Sequence, residues 1–178
     1  MHAARQNDRI TLSFRLSESR VVHRVLKAIV QNYKISPDEL DPKVADAWYS
    51  TRGCQTAKMS TEETKEWLEH LYQYKGANLR LVEKWVKKFS GPKANQYYLR
   101  LKLEEAPALL TVLNDHRLLM AARHGIGQEE MDLNSLSAFS QLQPAQQTAL
   151  YEIEFLARII EEILRLLPGN PAGWLDPD

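Results

Sequence analysis

Only two segments of this chain alternate apolar and polar residues, and they lie far apart, one near the N-terminus and one past the middle. Residues 9–16 put Ile10, Leu12, Phe14 and Leu16 on one side and Arg9, Thr11, Ser13 and Arg15 on the other. Residues 97–103 put Tyr97, Leu99, Leu101 and Leu103 opposite Tyr98, Arg100 and Lys102. A period of two is that of a strand with one buried face. Two such runs in a chain otherwise patterned for helix are expected to pair with each other. A lone two-stranded ribbon is marginal in water, so this one must lie against helices.

The remaining apolar positions recur every three or four residues. Val21, Val22, Val25, Leu26, Ile29, Val30 and Tyr33 predict an amphipathic helix with Ser17 or Ser19 as N-cap. Ser36-Pro37 and Asp41-Pro42 each join a capping residue to a proline at the first helical position, and they predict a short helix through Val44, Ala47 and Trp48 that ends near Gly53. Ser60-Thr61-Glu62-Glu63 is a capping box. It opens a stripe of Trp67, Leu68, Leu71, Leu79, Val82, Val86 and Phe89 whose phase runs through Gly76, so one long helix is expected as far as Gly91-Pro92. A helix over 105–124 has Pro107 in its first turn and Gly125 as a left-handed C-cap. A short helix is expected within 132–141, and a last helix runs from Pro144 to Leu167, stopped by Pro168-Gly169. The expected fold is one mainly α domain of five to six helices with a small two-stranded antiparallel β-ribbon, ordered over residues 9–168 with polar tails at both ends.

At 178 residues the chain is long enough to bury a core without a disulfide or a metal. Cys54 is its single cysteine, which excludes an intrachain disulfide and suits a reducing compartment. The first eight residues are polar and no apolar run approaches the ~18 residues of a membrane span. A cytoplasmic protein with no membrane partner is expected. The formal charge is zero, with 23 basic and 23 acidic residues, but the charges are segregated. Residues 1–34 and 75–102 are basic; residues 35–74 and 103–178 are acidic.

Glycine-rich phosphate loops, paired-cysteine zinc spacings, His-Glu-x-x-His and Gly-x-Ser-x-Gly are absent, so no catalytic residue, metal site or cofactor is expected. His116 and His124 share a helix but stand eight residues apart, about 12 Å along the axis, too far to share a metal unaided. His124 before Gly125 reads better as a cation at a helix C-terminus than as a catalytic group. The helix over 105–124 is apolar nearly all round, which marks a central helix. Asn114, Asp115, His116 and Arg117 are then partly buried polar groups that need partners. A structural network holding helices together is the simpler reading; a small-molecule site around Asp115, His116, Arg117 and His124 is the less favoured one.

The run Leu113-Asn114-Asp115-His116-Arg117-Leu118, followed by Arg123-His124-Gly125-Ile126, resembles the most distinctive stretch of an uncharacterised bacterial family, a domain of unknown function common in actinobacteria. The alternating N-terminal segment before a helix, and the last helix from Ala149-Leu150-Tyr151 onward, are similar to it as well. The turn here has no leucine before its glycine, unlike the family's Leu-Gly-Ile. The family has no established activity, and its genes often sit beside that of the Clp-protease adaptor ClpS. The resemblance therefore implies an accessory role near regulated proteolysis, with a Clp-system component as a candidate partner, and no mechanism.

Two surfaces are candidates for binding. On the last helix, Glu154, Arg158, Glu161 and Arg165 form a narrow polar strip of Glu-to-Arg pairs at i,i+4, and apolar residues from Phe155 and Leu166 round to Ala157 spread over an arc of about 200°, wider than a surface helix needs. The excess lies either in the domain centre or against another chain, and Phe155, Ile159, Ile163 and Leu166 are the expected interface in the second case, a homodimer being its natural form. The ribbon's outer face carries Arg9, Arg15, Arg100 and Lys102 with Tyr98, and Lys84, Lys87, Lys88 and Lys93 lie just upstream. Such a face suits an acidic protein or a nucleic acid, with charge for affinity and Tyr98 for stacking. Its simpler reading is protection of strand edges from aggregation. The sequence thus points to a non-catalytic protein-interaction or accessory module, with a nucleic-acid-binding module as the alternative.

Overall fold

In a computed structural model, residues 1–49, 52–93, 96–131 and 136–168 are described. The two alternating runs pair antiparallel as strands β2 (Arg9–Phe14) and β4 (Gln96–Lys102), with Arg9 opposite Lys102, Thr11 opposite Arg100 and Ser13 opposite Tyr98. Ile10, Leu12, Phe14, Leu99 and Leu101 are buried on the helix side, as the period of two requires. The sheet is wider than the expected ribbon. Strands β1 (His2–Gln6) and β3 (Ser90–Lys93) flank the central pair in the order β1-β2-β4-β3.

β1 is the segment expected to be a polar tail. It joins β2 through Asn7-Asp8, with Asn7 at φ 55, a conformation asparagine tolerates in two-residue hairpins. Its residues hardly alternate because one side faces water and the other is covered only in part. Ala3 is half-buried, and the Arg5 guanidinium donates to the Leu166 carbonyl at 3.0 Å. Gly91-Pro92, expected as a plain stop, lies in β3, where an edge position tolerates a proline that cannot donate.

Helix α1 (Leu16–Asn32) starts earlier than expected, and neither Ser17 nor Ser19 caps it. Arg15 is the N-cap, its N–H donating to the Glu18 carboxylate at 2.8 Å. Leu16 consequently leaves the strand pattern and is 45% exposed. A 3₁₀ turn (Pro37–Glu39) leads to α2 (Pro42–Tyr49), whose first turn is tied by Asp41 accepting from the Lys43 N–H at 2.9 Å. The short α3 (Arg52–Thr56) passes through Gly53 rather than ending there.

The capping box forms as read, with the Glu63 N–H donating to Ser60 Oγ at 3.2 Å and the Ser60 N–H to the Glu63 carboxylate at 2.7 Å. The long helix it opens is broken into α4 (Thr61–Ala77) and α5 (Leu79–Lys88) at Asn78, not at Gly76. The break lets the two halves turn different faces to the core. α5 buries Val82 and Trp85, whereas no residue of α4 is fully buried and Trp67, expected inside, is 43% exposed.

A second 3₁₀ turn (Leu103–Glu105) leads to α6 (Ala106–His124), which closes on Gly125 at φ 61. Short α7 (Gln128–Met131) and α8 (Leu136–Gln141) precede α9 (Pro144–Leu166); part of the expected helix within 132–141 lies outside the described residues. The break at Asn78 and these short turns explain why the helices exceed five to six. Helices cover one face of the sheet, and the main core joins the sheet's inner residues to α1, α5, α6 and α9. A smaller cluster of Ile126, Ala149, Leu150 and Ile153 lies beside it. Among the described residues no helix is long and apolar enough to cross a membrane.

The apolar excess of α9 is spent inside the domain. Ile159 and Ile163 are 1% and 0% exposed, so they offer nothing to a second chain. The wide arc exists because α9 packs on α6 and reaches β1 as well. Phe155 and Leu166 are half-buried at its margin. On the polar side Arg165 pairs with Glu162, three residues away at 3.3 Å, rather than with Glu161 as expected.

Candidate functional site

The Asn114–Arg117 run divides between water and two buried networks, because successive helical residues point about 100° apart. Asn114 is exposed and Arg117 half-buried, while Asp115 and His116 are buried. Asp115 Oδ1 receives the Lys75 ammonium at 2.7 Å and Oδ2 the Tyr33 hydroxyl at 2.8 Å. Trp48 stacks on Tyr33, and the ammonium lies 5.6 Å from the Trp48 ring and 5.8 Å from that of Tyr49. This aromatic wall supplies cation–π stabilisation where water is excluded. Burial raises the Tyr33 phenol well above its usual range, assisted by the Asp115 charge; burial also pushes Tyr49 up to about 12, with Tyr72 and Asp115 adding to it. Both phenols therefore stay protonated, and Tyr33 remains a donor. The network anchors α4, through Lys75, to α1, α2 and α6.

His116 points the other way. Its Nε2–H donates to Glu152 Oε1 on α9 at 2.9 Å, and Arg24 on α1 donates to Glu152 Oε2 at 2.5 Å. Burial opposes ionisation of Glu152, yet the hydrogen bonds and charges of His116 and Arg24 outweigh it and hold the carboxyl below its usual range. Glu105 behaves likewise. Burial is opposed by the Lys84 ion pair and by the Lys102 N–H, and its carboxyl also ends low. Carboxyls depressed in the folded state stabilise it above their unfolded pKa and lose that contribution as pH falls through the folded one. Unfolding midpoints should accordingly drop from pH 5 to pH 3, and Glu152→Gln should flatten that slope; an unchanged slope would dissociate Glu152 from acid stability. Chemically, the two networks join α1, α4, α6 and α9 through hydrogen bonds between side chains, while His116 Nδ1 and the neighbouring Arg117 Nε are buried without a partner among the described residues; the surface grooves are lined by other residues.

Sequence reasoning missed Glu152, Lys75, Tyr33 and Arg24 as network members. Glu152 was legible as an acid on the apolar side of α9, but the others lie on faces that give no such signal.

The basic residues fall into separate groups. Arg9, Arg100 and Lys102 share the solvent face of the sheet with Tyr98, Arg100 lying 5.2 Å over the Tyr98 ring. Arg15 is exposed where β2 ends. Opposed cations such as Arg9 and Lys102 repel, and Glu104, 3.0 Å from the Lys102 ammonium, offsets this. Lys84 is engaged by Glu105. Lys87 and Lys88 are exposed on α5, on the helix side, where Phe89 meets inward-facing Phe14. The structure thus does not join them to the sheet's outer cations. The side chain of Lys93 lies outside the described residues.

The Lys87 side borders a groove of about 460 Å³ between α1 and α5. Ala28, Val30 and Val86 give it an apolar floor; Lys27, Lys87, Gln31 and Glu83 form its rim, and Lys34 pairs with Glu83 at 3.5 Å. Arg20, Arg24, Lys27, Gln31 and Lys34 follow one another at helical spacing along this side of α1. A polar groove of about 570 Å³ lies between the 35–44 segment and the end of α6, and a crevice of about 130 Å³ holds Tyr151 and Phe155. Among the described residues no cluster of His, Cys, Asp and Glu is arranged to hold a metal.

No curated protein and no solved structure matches this chain. The model of one family, a domain of unknown function designated DUF2017, matches residues 1–167, and the chain belongs to that family.

Proposed function

We propose that this domain is a non-catalytic protein-interaction module whose docking surface is the groove between α1 and α5. The observation that carries the reading is the pairing of an apolar floor with a cationic rim, the complement of an acidic amphipathic helix. Apolar contact supplies affinity there and the rim supplies orientation and on-rate. The resemblance noted in the sequence makes an accessory role near Clp-type regulated proteolysis part of the proposal. A cytoplasmic setting belongs to it too, supported by the single, buried Cys54.

The test is a labelled helical peptide with leucines on one face and glutamates on the other, titrated by fluorescence anisotropy. Binding should weaken as salt rises, and Lys27→Glu with Lys87→Glu should weaken it about tenfold or more. Absence of binding at low salt, or equal binding of a lysine-rich counterpart, overturns the reading.

A second reading rests on the sheet's outer face, where Arg9, Arg100 and Lys102 accompany Tyr98 and could follow a phosphate backbone. It calls for single-stranded nucleic acid binding with a salt slope that shrinks when Arg100 and Lys102 are neutralised.

A further inference from the structure

We propose that the occupant of the α1–α5 groove is helix α4 of a second copy of this chain. The inference rests on the groove being a docking surface and names what fills it.

The first observation is the poor burial of α4, a seventeen-residue helix with no fully buried residue. Leu68, Leu71 and Tyr72 touch the core in part, and Lys75 ties its C-terminal end to Asp115. Trp67, Leu71 and Tyr74 recur at i, i+4 and i+7, so they form one stripe about 10 Å long. Its two ends are the exposed ones, Trp67 at 43% and Tyr74 at 67%. Single exposed aromatics are ordinary. Here a tryptophan and a tyrosine, the residue types that anchor interfaces, share one side of a helix the domain itself hardly covers.

The second observation is charge. α4 shows Glu62, Glu66 and Glu69 to water against one exposed cation, Lys65, its other lysine being held by Asp115. The groove side of the molecule is the converse. Arg20, Lys27, Lys87 and Lys88 are exposed and none has an acidic partner within 4 Å among the described residues, while Glu83 is already paired with Lys34. Each copy therefore carries an acidic helix with an aromatic ridge flanked by Glu66, and a basic apolar groove. A two-fold dimer would use that complementary pair twice, which is the commonest way a protein satisfies such surfaces. Ridge and groove together put Trp67 and Tyr74 against Val30 and Val86, with Glu66, on the flank of the aromatic stripe, toward Lys27 and Lys87.

Sedimentation velocity of the full chain from micromolar to sub-millimolar concentration tests this. The chain should self-associate, more weakly as salt rises. Lys27→Glu with Lys87→Glu should weaken association about tenfold or more, Glu66→Lys should weaken it severalfold, and the variant carrying all three changes should regain part of the loss. Trp67→Ala with Tyr74→Ala should weaken it without loss of helix by circular dichroism, since both side chains are exposed. A wild-type chain that stays monomeric throughout overturns the inference, as does association indifferent to the charge reversals or not restored in part by combining them. The peptide titration keeps the two readings separable. A monomer whose groove still takes the acidic peptide rejects α4 as occupant and retains the groove.

Discussion

Ile159→Glu combined with Ile163→Glu is expected to unfold the domain, not to release a folded monomer. Both side chains are essentially inaccessible, set in the core formed by the sheet, α1, α5, α6 and α9. A carboxylate introduced at either position is set among apolar side chains. The penalty for one buried, unpaired charge is several kcal/mol, and two of them rival the roughly 5–15 kcal/mol that holds a domain together. Circular dichroism and urea titration should show loss of the cooperative transition. A variant that keeps its helix content and unfolds near the wild-type midpoint would mean that this side of α9 faces outward in solution.

Asp115→Ala should give the largest single-residue loss outside the apolar core. It removes the carboxylate that both Lys75 and Tyr33 address, and so leaves an ammonium and a phenol buried among rings. Breaking one side of a buried pair costs about 3–5 kcal/mol. In a domain of this size that corresponds to roughly 6–20 °C in Tm. Asn114→Ala, one residue away and exposed, should stay within about 0.5 kcal/mol. Because Lys75 fastens the C-terminal end of α4, Asp115→Ala should also make that helix the first to be cut in limited proteolysis. Equal stability of the two variants would show that the network contributes nothing to holding α4.

These expectations separate structure from interaction. The networks around Asp115 and Glu152 engage two of the polar residues that looked most like a ligand site, Asp115 and His116, and α9 turns most of the apolar face that looked like an interface into the core. What remains outside is the ridge of α4, the groove between α1 and α5 and the basic face of the sheet. The basic face was legible from the strand alternation, but the ridge and the groove are not conspicuous as motifs, since a groove is made by two elements whose spacing no local pattern records.

Local patterns did determine a good deal. The alternation at residues 9–16 and 97–103 specified β2 and β4, their pairing and their inward faces, because a strand with one wet side must alternate. The capping box at Ser60, Pro107 in the first turn of α6, Gly125 at φ 61 and Pro144 at the start of α9 were legible because caps are chemistry of a few adjacent residues. Tertiary structure alone decided the rest. β1 exists because an edge was open for it, and α4 and α5 part at Asn78 although the apolar phase runs on. Asp115 finds partners 82 and 40 residues away, and His116 finds one 36 residues away. Periodicity says which side of an element avoids water, while what covers that side is settled only when distant segments compete for it.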